Sequence, residues 1–258
     1  MVFSYYPGCT LKTKAAQLEQ YGLRSAETLG IELRELADWQ CCGAVYPLAR
    51  DEIASKLSAV RALVSARDAG TELVTLCSAC HHVIKRVNCD MRDNADFRQK
   101  VQNYLQLETP YDGKTSVLHY LELLRDRVGF SELQKKVKNP LTGRKIGAYY
   151  GCLLLRPGKQ MQMDNPENPT IMEDFLRALG AEPVIYAMRN ECCGGYVTLE
   201  NKSFAASRAD MITANAAQQG AQALVTACPL CMYNLKENSG RLPVYYFTEL
   251  LASALGVK

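Results

Sequence analysis

The chain lacks the features that mark three large classes of protein. No stretch approaches the roughly 18 consecutive apolar residues that a membrane-spanning helix needs. Its 30 Lys and Arg residues are nearly balanced by 27 Asp and Glu and are spread along the chain, which gives no basis for nucleic-acid binding. The amino-terminal segment MVFSYYPGCT has neither the charged region nor the long apolar region of a secretory signal. We therefore expect a cytoplasmic protein with no membrane span and no nucleic-acid partner.

Cysteine, by contrast, is abundant, with 11 residues in a chain of 258. Because structural disulfides are disfavoured in the cytoplasm, binding of metal by thiolates is the first explanation to consider. Ten of the cysteines form one pattern that occurs twice: a single cysteine, then Cys-Cys-Gly, then Cys-x-x-Cys. The first copy is Cys9, Cys41, Cys42, Cys77 and Cys80, and the second is Cys152, Cys192, Cys193, Cys228 and Cys231.

The spacing of the two copies is partly identical. In both copies 34 residues separate the vicinal pair from the Cys-x-x-Cys, whereas the first cysteine is followed by 31 residues in one copy and 39 in the other. Both copies open with an aromatic strand ending in Gly-Cys, continue with a helical stretch ending in Leu-Gly, and place an apolar strand directly before the Cys-x-x-Cys. The sequence is therefore an internal duplication, which we divide into residues 1–133, a lysine-rich linker at 134–145, and residues 146–258.

The order of elements predicts the fold class. Strands at 31–36, 73–76, 183–186 and 224–227 alternate with helices near 53–69 and 205–219, and each half closes with a strand and helix that start at 117 and 244. Such alternation is typical of parallel βαβ units, so we predict an α/β protein made of two similar βα halves with parallel sheets. Each cysteine group follows a predicted strand, which places the expected metal centres at the carboxyl ends of the strands.

The number of thiols per half suggests more than a simple metal ion. Thiolates select iron–sulfur clusters, zinc or copper(I), but four ligands already complete a structural zinc site or an ordinary cubane cluster. Two adjacent cysteines do not easily occupy neighbouring corners of one tetrahedral ion, whereas they can bind two different irons of a larger cluster. Five thiols per half therefore favour an iron–sulfur cluster of unusual geometry.

The duplicated motif resembles the cysteine-rich CCG domain family. Together with Tyr6-Pro7-Gly8-Cys9-Thr10 and the segment DNPENP at 164–169, the chain looks most like the B subunit of heterodisulfide reductases. The resemblance covers nearly the whole chain. It implies two non-cubane [4Fe-4S] clusters, each bound by the five cysteines of one half: Cys9, Cys41, Cys42, Cys77 and Cys80 for one cluster, and Cys152, Cys192, Cys193, Cys228 and Cys231 for the other.

The same resemblance implies a function. Members of this kind reduce a small heterodisulfide, of the coenzyme M–coenzyme B type, to two thiols between the two clusters. They do so in a heterodisulfide reductase complex with a flavin-containing subunit and a ferredoxin-like iron–sulfur subunit. No catalytic residue beyond the clusters is expected. Two other functions stay open: a non-catalytic electron-transfer subunit of an organic-acid oxidoreductase complex, and a zinc-stabilised scaffold that docks partner subunits.

Several further residues have both a functional and a structural interpretation. Cys77-Ser78-Ala79-Cys80-His81 matches a c-type haem attachment motif, and one Cys-x-x-Cys alone matches a thioredoxin-like motif, but neither explains the other thiols. Cys89 lies outside both copies and is expected to be a free thiol. Candidates for a role beside the centres, or for surface and packing roles, are His81, His82, His119, Tyr46, Tyr196, Lys12, Lys14, Arg156, Lys159 and Arg189.

Overall fold

The computed structural model describes residues 1–44 and 53–257 and confirms an α/β protein built from two similar halves. The first half contains β1 (Val2–Tyr6), α1 (Ala16–Thr28), β2 (Glu32–Glu35), α2 (Leu57–Asp68), β3 (Leu73–Thr75), α3 (Ser78–Asp93), α4 (Ala95–Leu105), β4 (Val117–His119), α5 (Tyr120–Leu123) and α6 (Phe130–Lys136). The second contains β5 (Lys145–Tyr149), α7 (Gly158–Met161), α8 (Ile171–Ala178), β6 (Glu182–Val184), α9 (Lys202–Gln218), β7 (Ala223–Thr226), α10 (Pro229–Asn238), β8 (Val244–Tyr246) and α11 (Phe247–Leu255).

Each half contains one parallel sheet with the same strand order. The orders are β2-β1-β3-β4 and β6-β5-β7-β8, and every pairing is parallel. The central strands are nearly continuous apolar runs, as expected where helices cover both faces of a sheet. In each half the chain first adds a strand on one side of its first strand and then crosses to the other side. The crevice at the carboxyl ends of β1 and β3, and of β5 and β7, is therefore the place where this topology puts ligands.

The Leu-Gly pair predicted at a helix end closes the equivalent helix in both halves. Gly30 and Gly180 follow α1 and α8 with φ of +76° and +83°, a conformation that glycine adopts without steric cost. The amide of the following residue then bonds to a carbonyl in the last turn, from Ile31 to Ala26 at 2.9 Å and from Ala181 to Leu176 at 3.0 Å. This is a Schellman ending, and it directs the chain into β2 or β6.

Some element boundaries differ from the sequence-based prediction. The helix expected at 53–69 starts with a 3-10 turn at Ala54–Lys56 before α2 begins, and the strand expected at 183–186 is Glu182–Val184. Tyr186 instead leaves the sheet edge and packs its buried ring against Gly147 of β5. Two segments of the expected linker belong to regular elements, since α6 extends to Lys136 and β5 begins at Lys145.

The two halves share one continuous apolar core. Helix α1 packs against α11, and α5 and α6 pack against α8, so each half covers the other with equivalent helices. The ring of Phe247 in the second half lies 5.9 Å from that of Tyr120 in the first, both fully buried, at this seam between the halves. Over the residues that the structure describes, no helix combines the length and apolarity needed to cross a membrane.

Candidate metal centres

The cysteines of each half gather at the carboxyl edge of its sheet. Cys9 follows β1, and Cys77 follows the neighbouring strand β3 and is the N-cap of α3. In the second half Cys152 follows β5, and Cys228 follows β7 and is the N-cap of α10. Because the free amides of a first helical turn favour negative charge, both Cys-x-x-Cys segments sit where a thiolate is stabilised.

The first set brings together cysteines that are distant in sequence. The sulfurs of Cys9 and Cys41 lie 3.5 Å apart, and those of Cys42 and Cys80 also lie 3.5 Å apart. Cys42, Cys77 and Cys80 are buried, whereas Cys9 and Cys41 are half-buried. The vicinal pair therefore divides its two thiols between two different partners, as adjacent cysteines do when each binds a different atom of a larger group.

The second set repeats this arrangement and has backbone donors at its vicinal pair. The sulfurs of Cys193 and Cys231 lie 3.6 Å apart. The amides of Gly194 and Gly195 donate to the sulfurs of Cys192 and Cys193 at 3.4 Å and 3.3 Å. One small cavity is lined by all five cysteines of this half. Cys192 is exposed, so this set of thiols is accessible from the protein surface at Cys192.

The sulfur–sulfur contacts separate the thiols into acidic and less acidic members. The contact with Cys80 lowers the pKa of Cys42 to about 7, while burial raises the pKa of Cys41 to about 11. In the second half the contact with Cys152 lowers the pKa of Cys192 to about 6, and the contact with Cys231 lowers the pKa of Cys193. In each half the geometry thus favours at least one thiolate near neutral pH, the form that binds metal.

A tyrosine three residues before the first cysteine of each half fixes the loop that carries the vicinal pair. The Tyr6 hydroxyl donates to the carbonyl of Gln40, and the Tyr149 hydroxyl donates to the carbonyl of Glu191 at 2.7 Å. Those carbonyls immediately precede Cys41 and Cys192. This role is not predictable from the sequence, although the repeated position of the tyrosine relative to Gly-Cys is visible there.

The donor set fits a polynuclear iron–sulfur group better than a single ion. Five thiols, which are soft donors, lie at the carboxyl edge of the sheet in each half, and they meet in pairs. Within residues 1–44 and 53–257, no three His, Cys, Asp or Glu side chains are arranged to hold one metal ion. A Cβ on Gly8 would lie 2.8 Å from the Cys80 sulfur, so glycine is needed for the backbone to approach the thiols this closely.

The two sets face each other across the seam between the halves. Ser78, between Cys77 and Cys80, donates its hydroxyl to the carbonyl of Ala227 at 2.7 Å, directly before Cys228. Tyr246 donates to the carbonyls of Leu76 at 2.5 Å and Ala227 at 3.0 Å. Ser78 and Tyr246 were not foreseen as functional residues, because nothing in the sequence reveals which positions cross between halves.

Tyr196 lies between the two sets of thiols. It lines the cavity of the second set. Burial raises the pKa of its phenol, and the neighbouring cysteines Cys228, Cys152, Cys42 and Cys77 from both halves act in the same direction. Tyr46, the corresponding candidate of the first half, lies outside the described residues.

The three histidines lie near the first set but not in it. His81 and His119 are fully buried with their rings 5.5 Å apart, and His119 accepts a hydrogen bond from the amide of Leu121 at 3.2 Å. Burial lowers the pKa of His119 to about 3 and that of His81 well below its usual value, so both are neutral. His82 contacts the carbonyl of Leu153 at 3.0 Å through Nδ1.

The basic candidates fall into two groups. The Arg156 guanidinium donates to the carbonyls of Asn190 and Pro166 at 2.8 Å and 3.2 Å. The buried Arg189 donates to the side chain of Asn168 at 2.5 Å. Lys12 forms an ion pair with Glu19 at 3.0 Å. These three are engaged in structural contacts. Lys14 and Lys159 are the remaining two, and Lys14 lines a groove beside α1 and α10.

Cys89 lies apart from both sets. It is a half-buried free thiol on α3, and it contacts Arg92 one turn further along that helix.

Comparison with known proteins gives two matches to one family model. The model of the cysteine-rich domain CCG matches residues 3–85 and 146–236. An 8-methylmenaquinol:fumarate reductase membrane anchor subunit of Wolinella succinogenes is 32% identical, over 99% of this chain and 92% of that protein. The B subunit of a ferredoxin/F(420)H(2)-dependent CoB-CoM heterodisulfide reductase of Methanosarcina acetivorans is 25% identical, over 98% and 89%.

Two further comparisons agree with these. A protein of Archaeoglobus profundus, named as like the B subunit of heterodisulfide reductase, is 26% identical over 98% of this chain and 90% of that protein. Among solved structures, that of a hypothetical protein from Helicobacter pylori matches with a TM-score of 0.77 at 11% identity. The match covers 100% of this chain but 49% of that protein, so this chain spans about half its length. At this identity the structural likeness concerns the fold alone.

Proposed function

Because the chain belongs to the cysteine-rich CCG domain family, with two copies of the domain, we propose that it is the iron–sulfur subunit of an oxidoreductase that reduces a small disulfide. The balanced reaction is R–S–S–R′ plus two electrons and two protons giving RSH and R′SH. The proposed substrate class is a heterodisulfide of the coenzyme M–coenzyme B type or a related disulfide. The relatives named for the B subunit of heterodisulfide reductases support this choice.

We propose that the ten repeated cysteines bind two non-cubane [4Fe-4S] clusters, one in each half. The ligands would be Cys9, Cys41, Cys42, Cys77 and Cys80 in the first half, and Cys152, Cys192, Cys193, Cys228 and Cys231 in the second. When bound, such clusters supply single electrons, and two of them together supply the pair that a disulfide requires. The protein's own contribution is to hold the ligands, keep them largely buried and bring the two sets to a common seam.

The observation that carries the proposal is the approach of the two sets across that seam. Ser78 bonds from the loop of Cys77 and Cys80 to the residue before Cys228, and the Tyr196 phenol lies near thiols of both halves. A disulfide placed at this seam would have one sulfur beside each set. An electron relay needs no such pairing of two complete thiol sets, which is why disulfide reduction is the function that the geometry favours.

The proposed assembly contains a flavin-containing subunit and a ferredoxin-like iron–sulfur subunit beside this chain. The Methanosarcina relatives of the heterodisulfide reductase type are named as subunits of reductases. In such an assembly electrons would reach this chain from the ferredoxin-like subunit. The exposed position of Cys192 offers an entry point at the surface, because it is the one exposed thiol among the ten.

A second candidate is a non-catalytic electron-transfer subunit of an organic-acid oxidoreductase complex. The relative from Wolinella succinogenes, at 32% identity, is named as a subunit of a fumarate reductase, and this observation specifically favours the candidate. Both candidates require clusters, so the distinguishing property is turnover of a disulfide. A zinc-stabilised scaffold is less compatible with thiols that meet in pairs.

The experiment that tests the proposal begins with anaerobically purified protein. Iron, acid-labile sulfide and zinc are measured per chain, and reduction of disulfides is followed with reduced methyl viologen as the electron donor. We expect about eight iron and about eight sulfide per chain for two [4Fe-4S] clusters, together with disulfide-dependent oxidation of the dye. Full iron content without turnover of any disulfide would favour the electron-transfer candidate. Zinc without acid-labile sulfide would favour the zinc-stabilised scaffold.

Two cysteine substitutions assign the clusters to the thiols. Cys193→Ser should lower the iron content to about half and abolish disulfide reduction, because one of two centres loses a ligand. Cys89→Ser is the matched control, since Cys89 lies outside both sets; it should keep full iron and full turnover. Normal iron and turnover in Cys193→Ser would refute the two-centre mechanism.

A further inference from the structure

A groove of about 570 Å³ opens between the start of α1 and the outer face of α10. This volume falls within the range of about 300–1,000 Å³ that is usual for small-ligand sites. Its lining is partly apolar and includes Leu18, Met232 and the aromatic ring of Tyr233, which is 57% exposed. The groove is distinct from the cavity lined by the cysteines of the second half.

The internal duplication supplies a comparison, because the same place in the other half is filled. Alignment of the two Cys-x-x-Cys helices makes His82 the counterpart of Tyr233. His82 contacts the carbonyl of Leu153, and α7 packs against α3. The filling segment belongs to the first arm of the second half, by which we mean the residues between its first cysteine and its vicinal pair. This arm has 39 residues in the second half and 31 in the first. The shorter arm thus leaves the groove open on one side only.

The charged residues at the open groove also differ from those at its filled counterpart on α3. Lys85 on α3 pairs with Glu122 at 3.2 Å. Their counterparts Lys236 and Glu249 both line the open groove, and among the described residues they form no ion pair with each other. The two glutamates are otherwise alike, since Glu249 accepts a hydrogen bond from the amide of Tyr246 at 2.6 Å and Glu122 accepts one from the amide of His119 at 2.8 Å. In the described part of the chain neither Lys236 nor Lys14, the second lysine of the groove, has an ion-pair or hydrogen-bond partner.

The groove touches the segments that carry thiols of both halves. Thr10, which lines it, directly follows Cys9 of the first set. Leu230 lies between Cys228 and Cys231 of the second set and lines both the groove and the cavity of that set. A ligand in the groove would therefore extend from two lysines at the surface towards the seam between the two centres.

We infer that this groove binds the anionic end of the substrate, a disulfide that carries a carboxylate, sulfonate or phosphate group. The inference rests on the proposed function for the identity of the reacting group, but the recognition of an anion rests on Lys14 and Lys236. These two lysines are positioning residues for the negative end, and the apolar lining accommodates the carbon chain. Because the counterpart in the other half is filled, the two sides of the seam differ, so an unsymmetrical disulfide binds in one orientation.

The test compares disulfides of similar size and different charge, with reduced methyl viologen as donor. The probes are dithiodiglycolate, which is anionic, hydroxyethyl disulfide, which is neutral, and cystamine, which is cationic. In the double variant Lys14→Gln and Lys236→Gln, we expect the KM for dithiodiglycolate to rise about tenfold, since hydrogen bonds to charged groups are the strong ones. The kcat and the KM for hydroxyethyl disulfide should not change, and the KM for cystamine should fall.

A matched control and a binding measurement separate this inference from the proposed function. Lys100→Gln removes one exposed positive charge on α4 and should leave every KM unchanged. Titration calorimetry of dithiodiglycolate into cluster-loaded protein should show the same roughly tenfold loss of affinity in the double variant. Equal KM and Kd values in wild type and double variant would overturn the inference, as would an equal rise for the neutral disulfide.

If the wild type reduces no disulfide at full iron content, the proposed function fails. Calorimetry then decides the groove on its own. Binding of dithiodiglycolate that the double variant loses supports an anion site, and the lack of any binding overturns it.

Discussion

At the residue scale, the hydroxyl of one tyrosine controls the position of a pair of thiols. Tyr149 ends β5, and its ring reaches beneath the loop to the carbonyl before Cys192. The hydroxyl of Tyr6 makes the equivalent bond before Cys41. Because the tyrosine belongs to a rigid central strand, the hydrogen bond transmits the position of the sheet to a loop that has no regular structure of its own.

We expect Tyr149→Phe to loosen the loop of the second vicinal pair. The change leaves the ring packing intact and removes one hydrogen bond to a partly buried carbonyl, which costs about 1 kcal/mol of unfolding free energy. Chemical denaturation should show this loss, and the iron content should fall in the second centre alone. Tyr104→Phe is the control, because Tyr104 is 60% exposed and should affect neither quantity. Unchanged iron in Tyr149→Phe would show that the loop holds its thiols without this bond.

At the element scale, the turn after β1 brings backbone against sulfur. Gly8 has a φ of +77°, and a Cβ at this position would lie 2.8 Å from the Cys80 sulfur. Gly70 has a similar φ of +64°, with nothing within 4 Å of an added Cβ. The two positions therefore share the backbone strain of a side chain in the left-handed region and differ only in the contact with the thiol.

We expect Gly8→Ala and Gly70→Ala to lose similar stability from backbone strain, about 1 kcal/mol or somewhat more. Gly8→Ala should in addition displace the sulfur of Cys80 and lower the iron bound in the first centre. The added Cβ is fixed to the backbone of the turn, so the sulfur is the atom that moves. Iron analysis together with thermal unfolding separates the two effects. Equal iron content in both variants would mean that the turn adjusts without moving the sulfur.

The start of α5 makes a pH-dependent contribution to stability. His119 is its N-cap and accepts a hydrogen bond through Nδ1, while the carboxylate of Glu122 accepts one from the amide of His119 at 2.8 Å. Burial lowers the pKa of His119 to about 3, so the folded state keeps the ring neutral where the unfolded chain would protonate it. The resulting stability is complete above the usual histidine pKa and is lost as the pH falls towards 3. His81 acts in the same direction, whereas burial raises the pKa of Glu122 and acts in the opposite one.

We expect His119→Asn to reduce the pH dependence of the unfolding free energy. Asparagine is a good N-cap and does not titrate. Between about pH 7.5 and about pH 5.5, the wild type should lose about 1.4 kcal/mol more unfolding free energy than the variant. Urea denaturation under anaerobic conditions at the two pH values measures the difference. Parallel losses in both proteins would show that the His119 ring carries no pH-dependent stability.

The elements also show how far a sequence-based prediction reaches. The strands before the Cys-x-x-Cys were predicted at 73–76 and 224–227 and are Leu73–Thr75 and Ala223–Thr226, because an apolar run next to a cysteine pair has a clear pattern. The edge strand at 183–186 was shifted, because an edge strand has fewer neighbours to enforce its register. The role of Tyr149 depends on where a loop folds back, which periodicity does not record.

At the scale of the whole molecule, two halves of the same topology produce a groove in one half that is filled in the other. The difference between 31 and 39 residues in the first arms was visible in the sequence, but its consequence was not. Only the structure shows that the longer arm places Leu153 against His82 while the shorter one leaves Tyr233 exposed. The contacts that Ser78 and Tyr246 make between the halves join residues more than a hundred positions apart, and a local pattern contains no information about such pairs.

Tyr246 holds the two halves together at the point where their thiol sets meet. Its buried hydroxyl donates to the carbonyls of Leu76 and Ala227, which lie directly before Cys77 and Cys228. Tyr246→Phe removes the one phenolic proton that the two carbonyls share, so we expect a loss of about 1 kcal/mol in unfolding free energy. Because both Cys-x-x-Cys segments are affected, iron should fall in both centres together, unlike the loss from one centre expected for Cys193→Ser.

The matched control for this prediction is Tyr120→Phe. Tyr120 is also fully buried, and its hydroxyl donates to the carbonyl of Gly22 at 3.2 Å within the first half. It should cost about 1 kcal/mol for one lost hydrogen bond and leave the iron content unchanged. If Tyr246→Phe destabilises the protein but retains full iron in both centres, the seam contributes only to stability. A coordinated loss of iron would instead show that the two halves position their thiols jointly, as a reaction that needs one electron from each side requires.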